Sequence, residues 1–191
     1  EITCSGGGVS NKGTITPAAL TDCPVIEDPL SSRAMPAVGS CNYTKLSYSS
    51  GTVTLTPGVY CGGLTVKGSA NATFAEGTYI LKDGPLTLGG NAIISGTHVG
   101  FYLTGSGAKL DVQGSAVINL SGPKEGDMAG LLLVSDPAST EDHSISSSNV
   151  QSLTGTLYFP NGKLRVDPGA KVAGNSAYTA IVAKEIEIDK G

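Results

Sequence analysis

The chain has 191 residues, of which 27 are Gly, 21 Ser and 18 Thr, while only 15% are charged and Trp is absent. That composition excludes long-helix and coiled-coil proteins, which are rich in Ala, Glu, Lys, Leu and Arg. Apolar residues at 39%, arranged in runs, with a net charge of only −4 exclude disorder, and an isoelectric point near 5.1 disfavours nucleic acid, whose phosphates need a basic face.

The first 45 residues form an irregular, Cys- and Pro-rich cap. Cys4, Cys23, Cys41 and Cys61 all fall in the first third of the chain, and none lies in a C-x-x-C pair, so metal knuckles and thioredoxin-like motifs are poor readings. Two disulfides stapling a weak segment fit better. Three pairings are open to four cysteines. The sequential one, Cys4–Cys23 with Cys41–Cys61, is preferred because each bridge closes a short loop and stabilises it by roughly 3 kcal/mol. Pro17, Pro24, Pro29 and Pro36 divide the segment. Between the last two, Asp28 as N-cap and Pro29 at the first helical position predict one short helix to Met35, which Pro36 stops.

From about Leu46 to residue 191 a repeat takes over. Leu64-Thr-Val-Lys-Gly-Ser-Ala70 is echoed by Leu86-Thr-Leu-Gly-Gly-Asn-Ala92, Leu110-Asp-Val-Gln-Gly-Ser-Ala116 and Leu164-Arg-Val-Asp-Pro-Gly-Ala170. The first three copies lie 22 and 24 residues apart. Interleaved with them, Gly77, Gly100, Gly130 and Gly155 each lead a continuous apolar run such as Gly130-Leu-Leu-Leu-Val134. Strand, turn and strand at a period of 20–25 residues predict an all-β, right-handed parallel β-solenoid, either ice-binding-like or a β-helix. The cap and the solenoid together make one structural domain. A sandwich is the rival, but its hairpins do not repeat one pattern in register. The apolar runs need cover on both faces, and the predicted helix lying alongside the coil supplies some of it. At the C-terminal end, Lys184-Glu-Ile-Glu-Ile-Asp-Lys190 alternates charge with Ile186 and Ile188. Such a strand reads as an edge open to assembly.

No catalytic, metal-binding or cofactor-binding set emerges, and the expectation is a protein that is not an enzyme. Asp83, Asp111, Asp127, Asp136, Asp142 and Asp167 are scattered, whereas glycoside cleavage needs two facing carboxyls. His98 and His143 sit in polar turns and read as exposed, with no nucleophile or H-E-x-x-H motif nearby. The outward column Thr65, Thr87, Asp111, Arg165 breaks after two threonines, which weakens ice binding.

Several ordered stretches carry a resemblance: Glu27-Asp-Pro-Leu30, Gly39-Ser-Cys-Asn-Tyr43, Leu55-Thr-Pro-Gly-Val-Tyr-Cys-Gly-Gly-Leu64, Gly77-Thr-Tyr-Ile-Leu-Lys-Asp-Gly84, Phe101-Tyr-Leu-Thr-Gly-Ser-Gly-Ala108, Leu153 to Gly162 and Tyr178 to Ala183. This series resembles the extracytoplasmic C-terminal region of bacterial Tad (Flp-type) pilus-assembly proteins, TadE/TadG-like group. Cys41 and Cys61 are the positions whose flanks match it best. The resemblance implies an exported, non-catalytic structural module of the periplasm, cell envelope or cell surface, working in assembly or surface attachment. Its implied partners are other pilus or envelope proteins and surface glycans. Membrane anchoring is expected only through a segment outside this chain, whose ends read as those of an excised fragment. The alternative readings are a glycan-binding adhesin using Tyr43, Tyr48 or Tyr178, a polysaccharide-acting β-helix enzyme, and an ice-binding protein.

Overall fold

The computed structural model describes residues 4–5, 18, 20–21, 24, 27–167 and 172–188. By contacts the chain divides into two units, Glu1–Arg33 and Ala34–Gly191. In the first, β1 (Cys4–Ser5) and β2 (Leu20–Thr21) pair in parallel, Cys4 opposite Leu20. The pairing of Cys4 with Cys23 lies outside the described residues.

The predicted helix does not form. Asp28 does cap the segment, its Oδ1 accepting the Leu30 N–H at 2.9 Å. Beyond the cap the chain makes only two overlapping turns, Ser31 N–H to Asp28 O at 3.2 Å and Arg33 N–H to Leu30 O at 2.9 Å. Pro36 drives Met35 out of the helical region, and the few residues left between the prolines are too short to offset the cost of helix nucleation. The cap is legible in the sequence; the failure to continue is not.

The second unit is a parallel β-solenoid of about six turns. Its strands follow in chain order as β3 (Tyr43–Tyr48), β4 (Thr52–Leu55), β5 (Gly58–Val66), β6 (Asn71–Phe74), β7 (Gly77–Lys82), β8 (Leu86–Leu88), β9 (Ile93–Gly96) and β10 (Val99–Thr104). They continue as β11 (Leu110–Val112), β12 (Val117–Ser121), β13 (Leu131–Ser135), β14 (His143–Ile145), β15 (Val150–Val166) and β16 (Thr179–Ile188). Three parallel ladders make three faces. Face I stacks β4, β6, β9, β12 and the start of β15. Face II stacks β3, β5, β7, β10, β13, the middle of β15 and β16. Face III stacks the ends of β3 and β5, then β8, β11, β14 and the ends of β15 and β16. Every coil passes through the faces in the same order, so each residue meets its equivalent one coil away.

Period-2 alternation sends one set of side chains into a common column. On face III, Leu64, Leu86 and Leu110 stack in register, as do Val66, Leu88, Val112 and Ile145. All of these are buried. The first coils add an aromatic file. Tyr43 stacks on Tyr60 at 4.6 Å, and Phe74 meets Tyr79 and Phe101 edge-on at 5.0 Å. The phenols inside it donate to backbone, Tyr60 to Thr56 O at 2.6 Å and Tyr79 to Leu55 O at 2.8 Å, so neither hydroxyl is buried unpaired.

The corner between faces III and I explains the glycine in the repeat. Gly68, Gly90 and Gly114 all have positive φ, near 65–70°, and they sit on top of one another. A Cβ on Gly90 would lie 2.5 Å from the Gly68 nitrogen. Only glycine combines this left-handed conformation with backbone stacked at inter-strand distance. Ala70, Ala92 and Ala116 follow it, fully buried. Ala170 lies outside the described residues.

On face II the apolar runs carry a second, outward column of Val59, Ile80, Tyr102, Val134 and Tyr158, each paired with the next and each at most 7% exposed. Two local features cover parts of it. Gly39 lies against Val59, and Met128 packs over Gly100, where an added Cβ would come within 3.0 Å. Met128 belongs to an insertion between β12 and β13, folded on itself by Gly130 N–H to Pro123 O at 2.7 Å. The cover predicted from a helix is supplied at these points by loops.

Candidate functional site: the charged ladder and the open edge

Face III begins polar and neutral and becomes charged toward its C-terminal end. Its outward column reads Ser47, Thr65, Thr87, Asp111, Ser144, Arg165, Glu187, each in register with the next. Two residues earlier on the last rungs stand Lys109, Asp142, Lys163 and Glu185. In sequence this series alternates in sign, Lys, Asp, Lys, Glu, and its last two members, Lys163 and Glu185, are paired in register. Lys109, Asp111, Asp142, Ser144, Lys163, Arg165 and Glu187 border a shallow groove of about 310 Å³. The last two rungs are held by ion pairs. Lys163 Nζ lies 3.1 Å from Glu185 and 3.2 Å from Glu187, and Arg165 Nη2 lies 4.0 Å from Glu187. Hydrogen bonds to Glu185 and then Glu187 hold the Lys163 ammonium above its usual range. Exposed pairs such as these add little stability.

Three of the carboxylates that the sequence offers are already engaged, while Asp142 is exposed in the groove. Asp111 accepts from Gln113 Nε2 and, at 2.9 Å, from Ser144 Oγ. Elsewhere, Asp83 accepts the Ser106 N–H at 3.1 Å. Asp136 accepts from Thr104 Oγ1 at 2.6 Å, Ala138 N–H at 2.9 Å and Tyr102 Oη at 3.1 Å. Burial pushes the Asp136 carboxyl up, but these donors outweigh it and hold it below the usual carboxylate range. Burial and the Asp136 charge push Tyr102 up to about 12. Asp127 and Asp167 lie on the exposed surface. Among the described residues no three of His, Cys, Asp and Glu are grouped to hold a metal.

His143 corrects the sequence reading. The polar residues around it predict an exposed turn, yet it is fully buried. It occupies an inward position of face III, paired with Leu164 where the neighbouring rungs carry leucine, and it stacks on Phe159 at 4.1 Å. Its Nδ1 accepts the Leu110 N–H at 3.1 Å, which leaves the proton on Nε2, buried without a partner. Burial pushes the imidazole down to about 4. His98 is partly exposed, 3.5 Å from Glu76.

Cys41 and Cys61 are joined by a disulfide, which ties the approach to β3 to β5. The three candidate tyrosines are not brought together. Tyr43 and Tyr48 belong to β3, on the first rung, and Tyr43 is occupied by Tyr60 and by Thr56 Oγ1 at 2.7 Å. Tyr178 directly precedes the last rung and is 54% exposed. Sequence reasoning misses a second polar column on face I, namely Thr54, Thr73, Ser95, Asn119 and Ser152. Its signal is present in Thr52-Val-Thr54 and Asn71-Ala-Thr73, which lie outside the seven-residue repeat.

Ile186 and Ile188 lie where the sequence places them, on the terminal rung. They stack in register on Leu164 and Val166, as Ile181 does on Leu157. All three are open to solvent, at 44%, 64% and 38%, whereas Leu164 and Leu157 one coil inside are buried. Among the described residues β16 pairs on one side only, with β15. The apolar column ends there uncovered, beside unpaired strand backbone.

Residues 24–191 match the family described as a domain of unknown function, DUF7305, and the chain belongs to that family. Neither the curated proteins nor the solved structures contain a match to it.

Proposed function

We propose that this DUF7305 domain is a non-catalytic structural module of an exported cell-envelope protein, of the Tad pilus-assembly kind that its motif series resembles. It acts in assembly or surface attachment through its C-terminal edge. The observation that carries this reading is the terminal rung, where Ile181, Ile186 and Ile188 stay exposed on a strand paired on one side. An apolar column that ends uncovered beside free N–H and C=O groups is a template for another strand. The Cys41–Cys61 bridge favours an extracytoplasmic location, since cytosolic thiols are kept reduced. The partners are then other pilus or envelope proteins. We take the coil as right-handed, as parallel β crossovers are.

A polysaccharide-acting enzyme needs a free acid facing a second one at about 5–10 Å. Asp83, Asp111 and Asp136 are instead occupied by the donors named above, which speaks against that rival. Face I favours a secondary role in surface glycan or ice contact, through the stacked hydroxyls of Thr54, Thr73 and Ser95, although exposed Ile93 and Asn119 interrupt its regularity. An assembly assay with the full-length protein separates the classes. Ile186→Lys is expected to abolish assembly, while Asp111→Asn and His143→Leu, which keeps the buried column filled, leave it intact. Loss of function from either of those two, with fold and expression unchanged, would overturn the non-catalytic reading.

A further inference from the structure

The face III ladder also specifies the chemistry of whatever covers β16. We propose that the open edge of β16 receives, in parallel, a strand of another polypeptide with Lys or Arg at two alternate positions and apolar residues between them. This deepens the assembly reading above and rests on it. Register carries the inference. In a parallel ladder each outward side chain lies against its equivalents on the rungs before and after. The rung that holds β16 from inside is Lys163-Leu164-Arg165-Val166, facing Glu185-Ile186-Glu187-Ile188 residue for residue. The basic members face out and the apolar ones stack into the column.

The terminal rung therefore offers two outward carboxylates and two inward isoleucines on its free side as well. Glu185 is 58% and Glu187 36% exposed at the side chain, although both already pair with Lys163. Continuing the alternation of sign along this column calls for cations on the next rung. Continuing the apolar column calls for residues that cover Ile186 and Ile188. A second copy pairing through its own β16 edge either runs antiparallel, which brings glutamate against glutamate on the outward face, or runs parallel with its faces reversed, which sets its glutamates on the isoleucine side. Like charges directly opposed are destabilising, and so are carboxylates placed in an apolar column. The edge is thus built for a partner of opposite pattern rather than for itself.

The chain contains its own probe. A capped peptide with the core Lys-Leu-Arg-Val should bind the 191-residue protein, shifting the Ile186 and Ile188 methyl resonances, with affinity that falls as salt is raised. A Glu-Leu-Glu-Val peptide and a peptide of four lysines should each bind at least about tenfold more weakly. Charge reversal of the edge, Glu185→Lys with Glu187→Lys, should invert the preference toward Glu-Leu-Glu-Val. Glu185→Gln with Glu187→Gln, which places no like charges beside Lys163, should weaken the basic peptide about tenfold and leave the spectrum of the core unchanged. Equal binding of the three peptides, no binding of Lys-Leu-Arg-Val, or concentration-dependent self-association through β16 would overturn the proposal. If the peptide fails while Ile186→Lys still abolishes assembly, the edge remains the working surface and only the basic–apolar chemistry falls.

Discussion

His143 is the buried histidine of the column, and it dictates how the fold responds to acid. Folded, the imidazole stays neutral down to about pH 4; unfolded, it takes up a proton near its ordinary value of about 6.5. Between those values the unfolded state binds the extra proton, so stability falls as pH drops through the window and is fully present above it. The expected loss is about 3 kcal/mol. Urea melts from pH 7 to 4 should show that acid limb, and His143→Leu, which restores the residue type of the neighbouring rungs, should flatten it. An unchanged limb in the variant would contradict the assignment. Glycine offers a second test at this scale. Gly90→Ala combines φ near +65° with a contact at 2.5 Å and should destabilise by more than about 2 kcal/mol. Gly107→Ala, at φ +68° with nothing within 4 Å, should cost about 1 kcal/mol. Equal losses in thermal or urea melts would show that the stacked corner is not the constraint described.

At the scale of elements, the strands that repeat are legible in the sequence and those that break the repeat are not. Leu64, Leu86 and Leu110 announce face III because each coil demands the same thing of the same position. The next rung is hidden, since His143-Ser144-Ile145 replaces the leucine and insertions before and after β13 stretch the spacing from Leu110 to His143 to 33 residues. That is why the fourth copy, at Leu164, stands apart from the first three. The missing helix has the same kind of cause: Asp28 gives an accurate capping signal, but a cap does not sustain propagation between two close prolines. The open edge is readable from the alternation of Ile186 and Ile188 alone, whereas the charge ladder beside it needs the register of four rungs. The disulfide carries the prediction at this scale. The cross-link between Cys41 and Cys61 closes a loop across 20 residues, and Cys41→Ser should lower stability by about 2–5 kcal/mol. Urea melts of wild type and variant, without reductant, should differ by that amount; coincident curves would show that the bridge contributes nothing to the first rung.

Across the solenoid unit the three faces divide the work. Face II carries an outward apolar column that is already covered, and face I presents hydroxyls and amides. Face III carries alternating charge to a rung where both the charge series and the apolar column stop uncovered. That rung, rather than a pocket, is where we propose that the protein works. The direct measurement is site-specific photo-crosslinking of the protein in the cells that make it, with the photoreactive residue placed at position 186 or, for comparison, at Asn119 on face I. Adducts from position 186 should map to one defined strand with basic and apolar residues in alternation, with none at comparable yield from position 119. Crosslinks confined to position 119, or none from 186 while assembly proceeds, would contradict an edge-driven role.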